Sequence, residues 1–257
     1  MSDAELQVVA RSLRQKSESL RRAGVRHNRR AVKKDLSRAS VPAPAPVITP
    51  AVMVLPAAAI DHRESVPAER ESVLADLARE VAGCTRCEEL ARCRKQTVFG
   101  VGDPCAELCF VGEAPGADED AQGEPFVGAA GQLLTKIIAA MGLERRRVYI
   151  CNMLKCRPPG NRTPGTDEIA NCRGFLERQL EIIRPKFICA LGAVAAKALL
   201  NSELSIGRLR GQFHDYRGIP VLCTYHPAYL LRSPDAKKYV WEDIQILMGK
   251  LGLHVKT

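Results

Sequence analysis

Aromatic residues are scarce in this chain. They make up 5% of its 257 residues, and there is one tryptophan. A hydrophobic content of 46% still permits a real core, which must then be aliphatic. No early apolar run opens the chain, so a secretory signal is not expected. The longest apolar stretch, "VPAPAPVITPAVMVLPAAAI" (41–60), carries five prolines. Each removes a helical hydrogen bond, which excludes a membrane span and predicts an extended linker of polyproline II character. The glycine signatures of nucleotide-phosphate sites, G-x4-GK[ST] and G-x-G-x-x-G opening a helix, are also missing, which argues against a nucleotide-phosphate enzyme. No internal repeat is present.

Charge is present but uneven. The net charge is +9, and residues 1–40 hold 11 Lys or Arg against 4 Asp or Glu, a net +7. The remaining 217 residues are nearly balanced at +2. The expectation is a basic, polyanion-attracting tail over residues 1–68 that lacks order, followed by a domain over 69–257. Ten cysteines with no secretory signal predict a reducing, cytoplasmic setting, with thiols free or bound to metal. Cys109, Cys151, Cys189 and Cys223 lie in apolar runs and read as small core residues.

Beyond residue 70 apolar strands alternate with helical patterns. The strands read at 107–112, 147–154, 186–192 and 219–227. The helices read at 71–84, 128–142, 166–183 (capped by Thr166), 193–200 and 235–251. That alternation predicts an α/β fold: three α/β/α layers around a central four-stranded parallel sheet. In such folds the site lies beyond the carboxyl ends of the strands, which singles out the loops at 112–127, 152–165, 192 onward and 225–234.

The second of these loops is unusual. "NMLKCRPPGNRTPGTDEIANCR" (152–173) packs two cysteines, three prolines, two glycines and four basic residues between a strand and a helix. Cys84 and Cys87 form C-x2-C, and Cys156 and Cys172 form C-x15-C. Four thiolates suit a tetrahedral zinc or an iron–sulfur cluster. A chance C-x2-C beside two loop thiols gives the same spacing, and spacing does not exclude Cys93 or Cys105.

Three segments, "GEAPGADEDAQGEPFVGAAGQLL" (112–134), "NMLKCRPPGNRTP" (152–164) and "TYHPAYLLR" (224–232), together with the cysteine pairs, resemble the family 4 uracil-DNA glycosylases. The resemblance covers about residues 80–252 and leaves the tail outside. It implies a uracil-DNA glycosylase fold and hydrolysis of the N-glycosidic bond of a flipped deoxyuridine, leaving an abasic site for base excision repair. It also implies a [4Fe–4S] cluster on Cys84, Cys87, Cys156 and Cys172.

Roles follow by the same resemblance. Asn152 reads uracil, Phe126 stacks on the ring, and His226 donates to O2 of the departing anion. The turn Glu113–Ala114–Pro115 turns backbone N–H groups toward the pyrimidine. Ala114 is inert where a related family keeps a water-orienting aspartate, so Glu113 and then Glu119 are the candidates for handling water or cationic charge. Asp118 and Asp120 read as solvated carboxylates. Leu230 or Leu231 is the candidate wedge for the hole left by the base; Arg232, Arg157, Arg162 and Lys155 are phosphate candidates. The expected partner is uracil-containing DNA, single- or double-stranded, bound by a monomer without any membrane. The alternative is a non-enzymatic iron–sulfur DNA-binding protein that serves a polymerase or replication complex.

Overall fold

The computed structural model of the chain describes residues 67–253. The expected basic tail and proline-rich linker lie outside them, apart from the tail's last two residues, which begin the first helix.

The elements follow in the order α1 (Pro67–Ala82), α2 (Glu88–Cys93), β1 (Val101–Gly102), β2 (Leu108–Gly112), α3 (Ala117–Gln122), α4 (Ala129–Ala140), β3 (Tyr149–Asn152), α5 (Thr166–Ile183), β4 (Phe187–Leu191), α6 (Gly192–Leu200), α7 (Ile206–Leu209), β5 (Phe213–Tyr216), β6 (Ile219–Thr224), α8 (Pro227–Arg232) and α9 (Lys237–Leu251). One sheet of order β1-β3-β2-β4-β6-β5 forms the middle layer. Its four central strands are parallel, as the sequence predicts.

The sheet has six strands rather than four, because an antiparallel strand closes each edge. β1 is two residues long and carries no periodicity to read. β5 joins β6 through Arg217 and Gly218, both at positive φ, 52° and 84°. That is the backbone of a tight two-residue hairpin, which usually advertises itself with Asn or Gly at the first position. Arginine there hides the signal. α3 and α8 also fall where loops were expected, and α2 lies where no element was read. α5 begins as predicted, but its cap is Gly165, whose N–H donates to Glu168 Oε2 at 2.7 Å, rather than Thr166.

Alternation within the strands splits the core into two layers. Cys109 and Val111 of β2 face α1, α5 and α6, with Leu77, Phe175, Leu176 and Leu180. Leu108 and Phe110 face α4, α8 and α9, with Leu134, Ile138, Ile244 and Leu247. Strands covered on both sides read as continuous apolar runs, which is why all four were legible. Cys109, Cys151, Cys189 and Cys223 are fully buried in these layers. From β2 the chain crosses to β3 on one side and later to β4 on the other. That reversal opens a crevice at the carboxyl ends of the strands. Among the described residues no helix is long and apolar enough to cross a membrane.

Candidate active site and cysteine centre

A cleft of about 470 Å³ lies over that crevice. The turn after β2 supplies Glu113, Ala114 and Pro115, β3 ends in Asn152, and β6 leads to His226. Phe126 reaches in from the segment before α4. The tip of the cysteine loop, with Pro158, Asn161, Arg162 and Thr163, forms one wall, and Tyr229 and Arg232 of α8 form another.

Asn152 is 2% exposed, and its Oδ1 is a buried acceptor with no hydrogen-bond partner among the described residues. Burying such an atom without compensation costs about 1–3 kcal/mol, so the site keeps an acceptor waiting for a donor. Gly112 pairs with Asn152 across the sheet. A Cβ on Gly112 would stand 2.3 Å from Asn152 Oδ1 and 2.5 Å from the Phe126 ring. Only glycine lets both side chains close over the end of β2.

Phe126 takes φ of 56°, a conformation that bulky residues avoid. The neighbouring chain holds it there. Glu119 Oε1 accepts from the N–H groups of Val127 at 3.0 Å and Gly128 at 3.1 Å, and Oε2 accepts from Gly116 N–H at 3.1 Å. Arg145 donates to the Pro125 carbonyl at 2.6 Å. The Glu119 carboxylate is therefore committed to shaping the loop and is not free to handle water as the sequence suggested. Glu113 has no such commitment: among the described residues no donor meets its carboxyl, and burial pushes its pKa up. Asp120 is buried rather than solvated, and accepts from Lys95 N–H at 3.0 Å. Asp118 is exposed, as expected.

His226 caps α8. Its Nδ1 accepts from Ala228 N–H at 3.1 Å, with Pro227 at the first helical position. An accepting Nδ1 puts the proton of the neutral ring on Nε2. Burial, and then the Arg232 charge, lower its pKa from the ordinary 6.5 to about 4, with Glu119 pulling the other way. The ring stands 5.6 Å from that of Phe126, centroid to centroid. Gly192, at φ of 90°, makes room behind it: a Cβ there would come within 2.9 Å of His226 Cβ.

Cys84, Cys87, Cys156 and Cys172 line one small cavity. Cys93 and Cys105 are exposed and lie outside it. Among the described residues no three His, Cys, Asp or Glu side chains converge as a single metal ion requires; the four cysteines share the lining of the cavity. Donors already point at three of them. Arg94 Nη1 reaches Cys156 Sγ at 3.0 Å, Lys155 N–H reaches Cys172 Sγ at 3.3 Å and Asn171 Nδ2 reaches Cys87 Sγ at 3.5 Å. Burial pushes the Cys156 thiol up and Cys172 to about 11. Burial in this pocket therefore disfavours thiolates, and a cationic centre among the four sulfurs would reverse that.

A profile of the uracil DNA glycosylase superfamily matches residues 99–245. The chain is 44% identical over 180 residues to the type-4 uracil-DNA glycosylase of Archaeoglobus fulgidus, covering 67% of this chain and 90% of that protein. The chain belongs to this family. The type-4 enzymes of Saccharolobus solfataricus (45% over 178 residues, 66% of this chain and 82% of that protein) and Thermotoga maritima (44% over 180 residues, 68% and 93%) agree.

In this glycosylase the predicted pocket residues Glu113, Ala114, Pro115, Phe126, Asn152 and His226 come together in one cleft. Several DNA-contact candidates do not survive. Leu230 is 1% exposed in the core under α8, whereas Leu231 is 48% exposed. Reading α8 as a loop hid that facing. Lys155 is buried and cannot reach a phosphate. Arg162 bonds Glu168 and Glu89, and Arg157 bonds Asn161 Oδ1 at 2.8 Å, so both brace the cysteine loop. Arg232 is exposed and has no carboxylate partner among the described residues. Tyr229, 41% exposed on the cleft wall, went unnoticed in the sequence, although an exposed aromatic beside Arg232 is the mark of a base-stacking surface.

The His226 geometry makes a direct prediction. In a ¹⁵N-resolved NMR titration the ring should remain neutral, with its proton on Nε2, from pH 8 down to about pH 5, and should protonate near pH 4. Because the folded pKa lies below the unfolded one, stability contributed by the neutral ring is full above pH 6.5 and is lost as pH falls toward about 4. A titration centred at the ordinary value of 6.5 would show that burial does not hold the ring neutral.

Proposed function

We infer that this protein excises uracil from DNA in base excision repair, by hydrolysing the N-glycosidic bond of a flipped deoxyuridine. The unpartnered, buried Asn152 Oδ1 carries the reading. Uracil presents N3–H where cytosine presents a bare acceptor, so of these two bases only uracil satisfies this oxygen, while the amide nitrogen donates to O4. Phe126 supplies a ring face for the extruded base. His226 Nε2–H then donates to O2 as negative charge develops there. A neutral imidazole fixed by the helix end needs no reorganisation in the transition state. Glu113 is the group left for water or for cationic charge on the sugar.

Arg232 and exposed Leu231, side by side at the end of α8, serve as phosphate contact and wedge. The cleft is complete within one chain, which supports action as a monomer on single- or double-stranded DNA.

Cys84, Cys87, Cys156 and Cys172 ligate a [4Fe–4S] cluster. A cluster with a volume of its own suits sulfurs that surround a cavity, and N–H donors aimed at ligating sulfurs are typical of such centres. With four cysteine ligands its part is to hold the loop that walls the cleft. Purified anaerobically, the protein should absorb broadly near about 400 nm and contain iron. A colourless protein with one zinc per chain would refute the assignment.

Single-turnover release of uracil from a labelled oligonucleotide tests the chemistry. His226→Ala should lower the rate by about 10²–10³ with little change in DNA affinity. Asn152→Ala should lower it by about 10- to 100-fold, the equivalent of one or two buried hydrogen bonds. Asn152→Asp should gain activity on cytosine at low pH, where a protonated carboxyl reverses the hydrogen-bond pattern. Wild-type protein that binds DNA but releases no uracil would favour the non-enzymatic reading instead.

A further inference from the structure

The strand that delivers His226 is tied to α9 by a buried carboxylate with no part in the chemistry described so far. Asp243 of α9 is fully buried. Its Oδ2 accepts from Thr224 Oγ1 at 2.6 Å and from Arg210 Nε at 3.0 Å, and its Oδ1 meets Arg210 Nη2 at 2.8 Å. Arg210 Nη2 also donates to the Tyr239 carbonyl. A two-point pair of this kind fixes the plane of a guanidinium. Here the fixed guanidinium stands between two tyrosine rings, its central carbon 5.7 Å from the Tyr225 centroid and 5.0 Å from the Tyr239 centroid. Tyr225 in turn stands 5.2 Å from Tyr229, centroid to centroid. One connected row thus runs from the cleft through Tyr229, Tyr225 and Arg210 to Tyr239. Its two ends are open to solvent, Tyr229 at 41% and Tyr239 at 39% exposed, and Asp243 anchors its middle.

We propose that this row is a stacking surface for the single-stranded DNA that flanks the uracil: one unpaired base stacks on Tyr229 at the edge of the cleft and another on Tyr239, with Tyr225 and Arg210 fixing the spacing between them. This rests on reading the cleft as the uracil pocket. Three observations select the occupant. The row begins in the cleft itself, where Tyr229 stands with Arg232, so nucleotides next to a uracil in the pocket are within its reach. A tyrosine face is open only to a base that is not already stacked within a duplex, and such stacking tolerates any base. Exposed Arg232, Lys237 and Lys238 accompany the two exposed rings, with Lys238 Nζ 5.0 Å from the Tyr239 centroid, and suit a phosphate backbone. Of the exposed carboxylates in the same stretch, Glu242 is drawn to Arg210 at 3.4 Å. The buried pair then has a purpose: rings held in place beforehand lose little freedom when bases stack on them.

The test measures affinity by fluorescence anisotropy, with the full chain and single-stranded oligonucleotides that carry 2′-fluoro-deoxyuridine. The fluorine disfavours cationic charge on the sugar and so blocks cleavage. One oligonucleotide has about four ordinary nucleotides on each side of the uracil; the other has the same phosphates there but no flanking bases. Attraction to phosphate, the basic tail's included, is the same for both, so their difference reads stacking alone. Wild-type protein should prefer the first by about 5- to 100-fold. Tyr239→Ala should lose most of that preference while binding the base-less oligonucleotide as wild type does, and Tyr239→Phe, which keeps the ring, should retain it. Pairing the flanks with a complementary strand should abolish the preference. A wild-type protein without preference, a Tyr239→Ala protein that keeps it or that weakens equally on both oligonucleotides, or duplex flanks that bind as tightly as single-stranded ones overturns the proposal. Uracil release from the cleavable oligonucleotide separates the two readings: preference without release defeats the glycosylase reading, and release without preference defeats the stacking row.

Discussion

The architecture turns on one braced segment, the loop that leaves β3 and returns as α5. Cys156 within it and Cys172 at its return line one cavity with Cys84 and Cys87, and the residue at its entrance, Asn152, presents to the cleft a buried oxygen with no partner among the described residues. An acceptor kept out of water without a donor can be tolerated only if its surroundings do not relax to satisfy it. The Lys155 contact to the Asn152 carbonyl, the sheet pairing to Gly112 and the packed Phe126 ring prevent that relaxation. The loop's far wall is braced by Arg157 on Asn161 and by Arg162 between Glu168 and Glu89. The basic residues that suggested phosphate binding thus mostly serve rigidity.

Burial sets the electrostatics in the same way throughout. It keeps His226 neutral and raises the Glu113 carboxyl and the thiols of Cys156 and Cys172. In the proposed reaction a neutral donor at O2 of the departing base interacts more strongly as the anion forms than it does with the ground-state carbonyl, which is the condition for accelerating the chemical step. Glu119 shows the opposite use of a carboxylate. Three backbone N–H groups saturate it, and through them it keeps Phe126 in a strained conformation.

The four central strands were legible because burial on both faces leaves an unbroken apolar run. The residues that line the cleft were picked out by resemblance to the glycosylase motifs, and those motifs fall at the carboxyl ends of the strands. What escaped notice depends on facing rather than on composition. Leu230 and Leu231 are identical in sequence terms, and only the helical turn of α8 buries one and exposes the other. Lys155 looked like another basic loop residue, because nothing local reveals that its side chain folds inward. Arg217 conceals the hairpin to β5, since it occupies a left-handed position without the usual side chain. Resemblance separated Cys84, Cys87, Cys156 and Cys172 from Cys93 and Cys105, and the cavity separates the same four by geometry.

The central claim is that Asn152 Oδ1 receives N3–H of a uracil lying between Phe126 and His226. A crystal structure of the His226→Ala protein with a single-stranded oligonucleotide containing deoxyuridine tests it most directly. The account predicts the base in the cleft, its N3 within hydrogen-bond distance of Asn152 Oδ1 and its ring against Phe126, with the cysteine loop unmoved. A uracil bound elsewhere, or one in the cleft whose N3 faces a different acceptor, would contradict it.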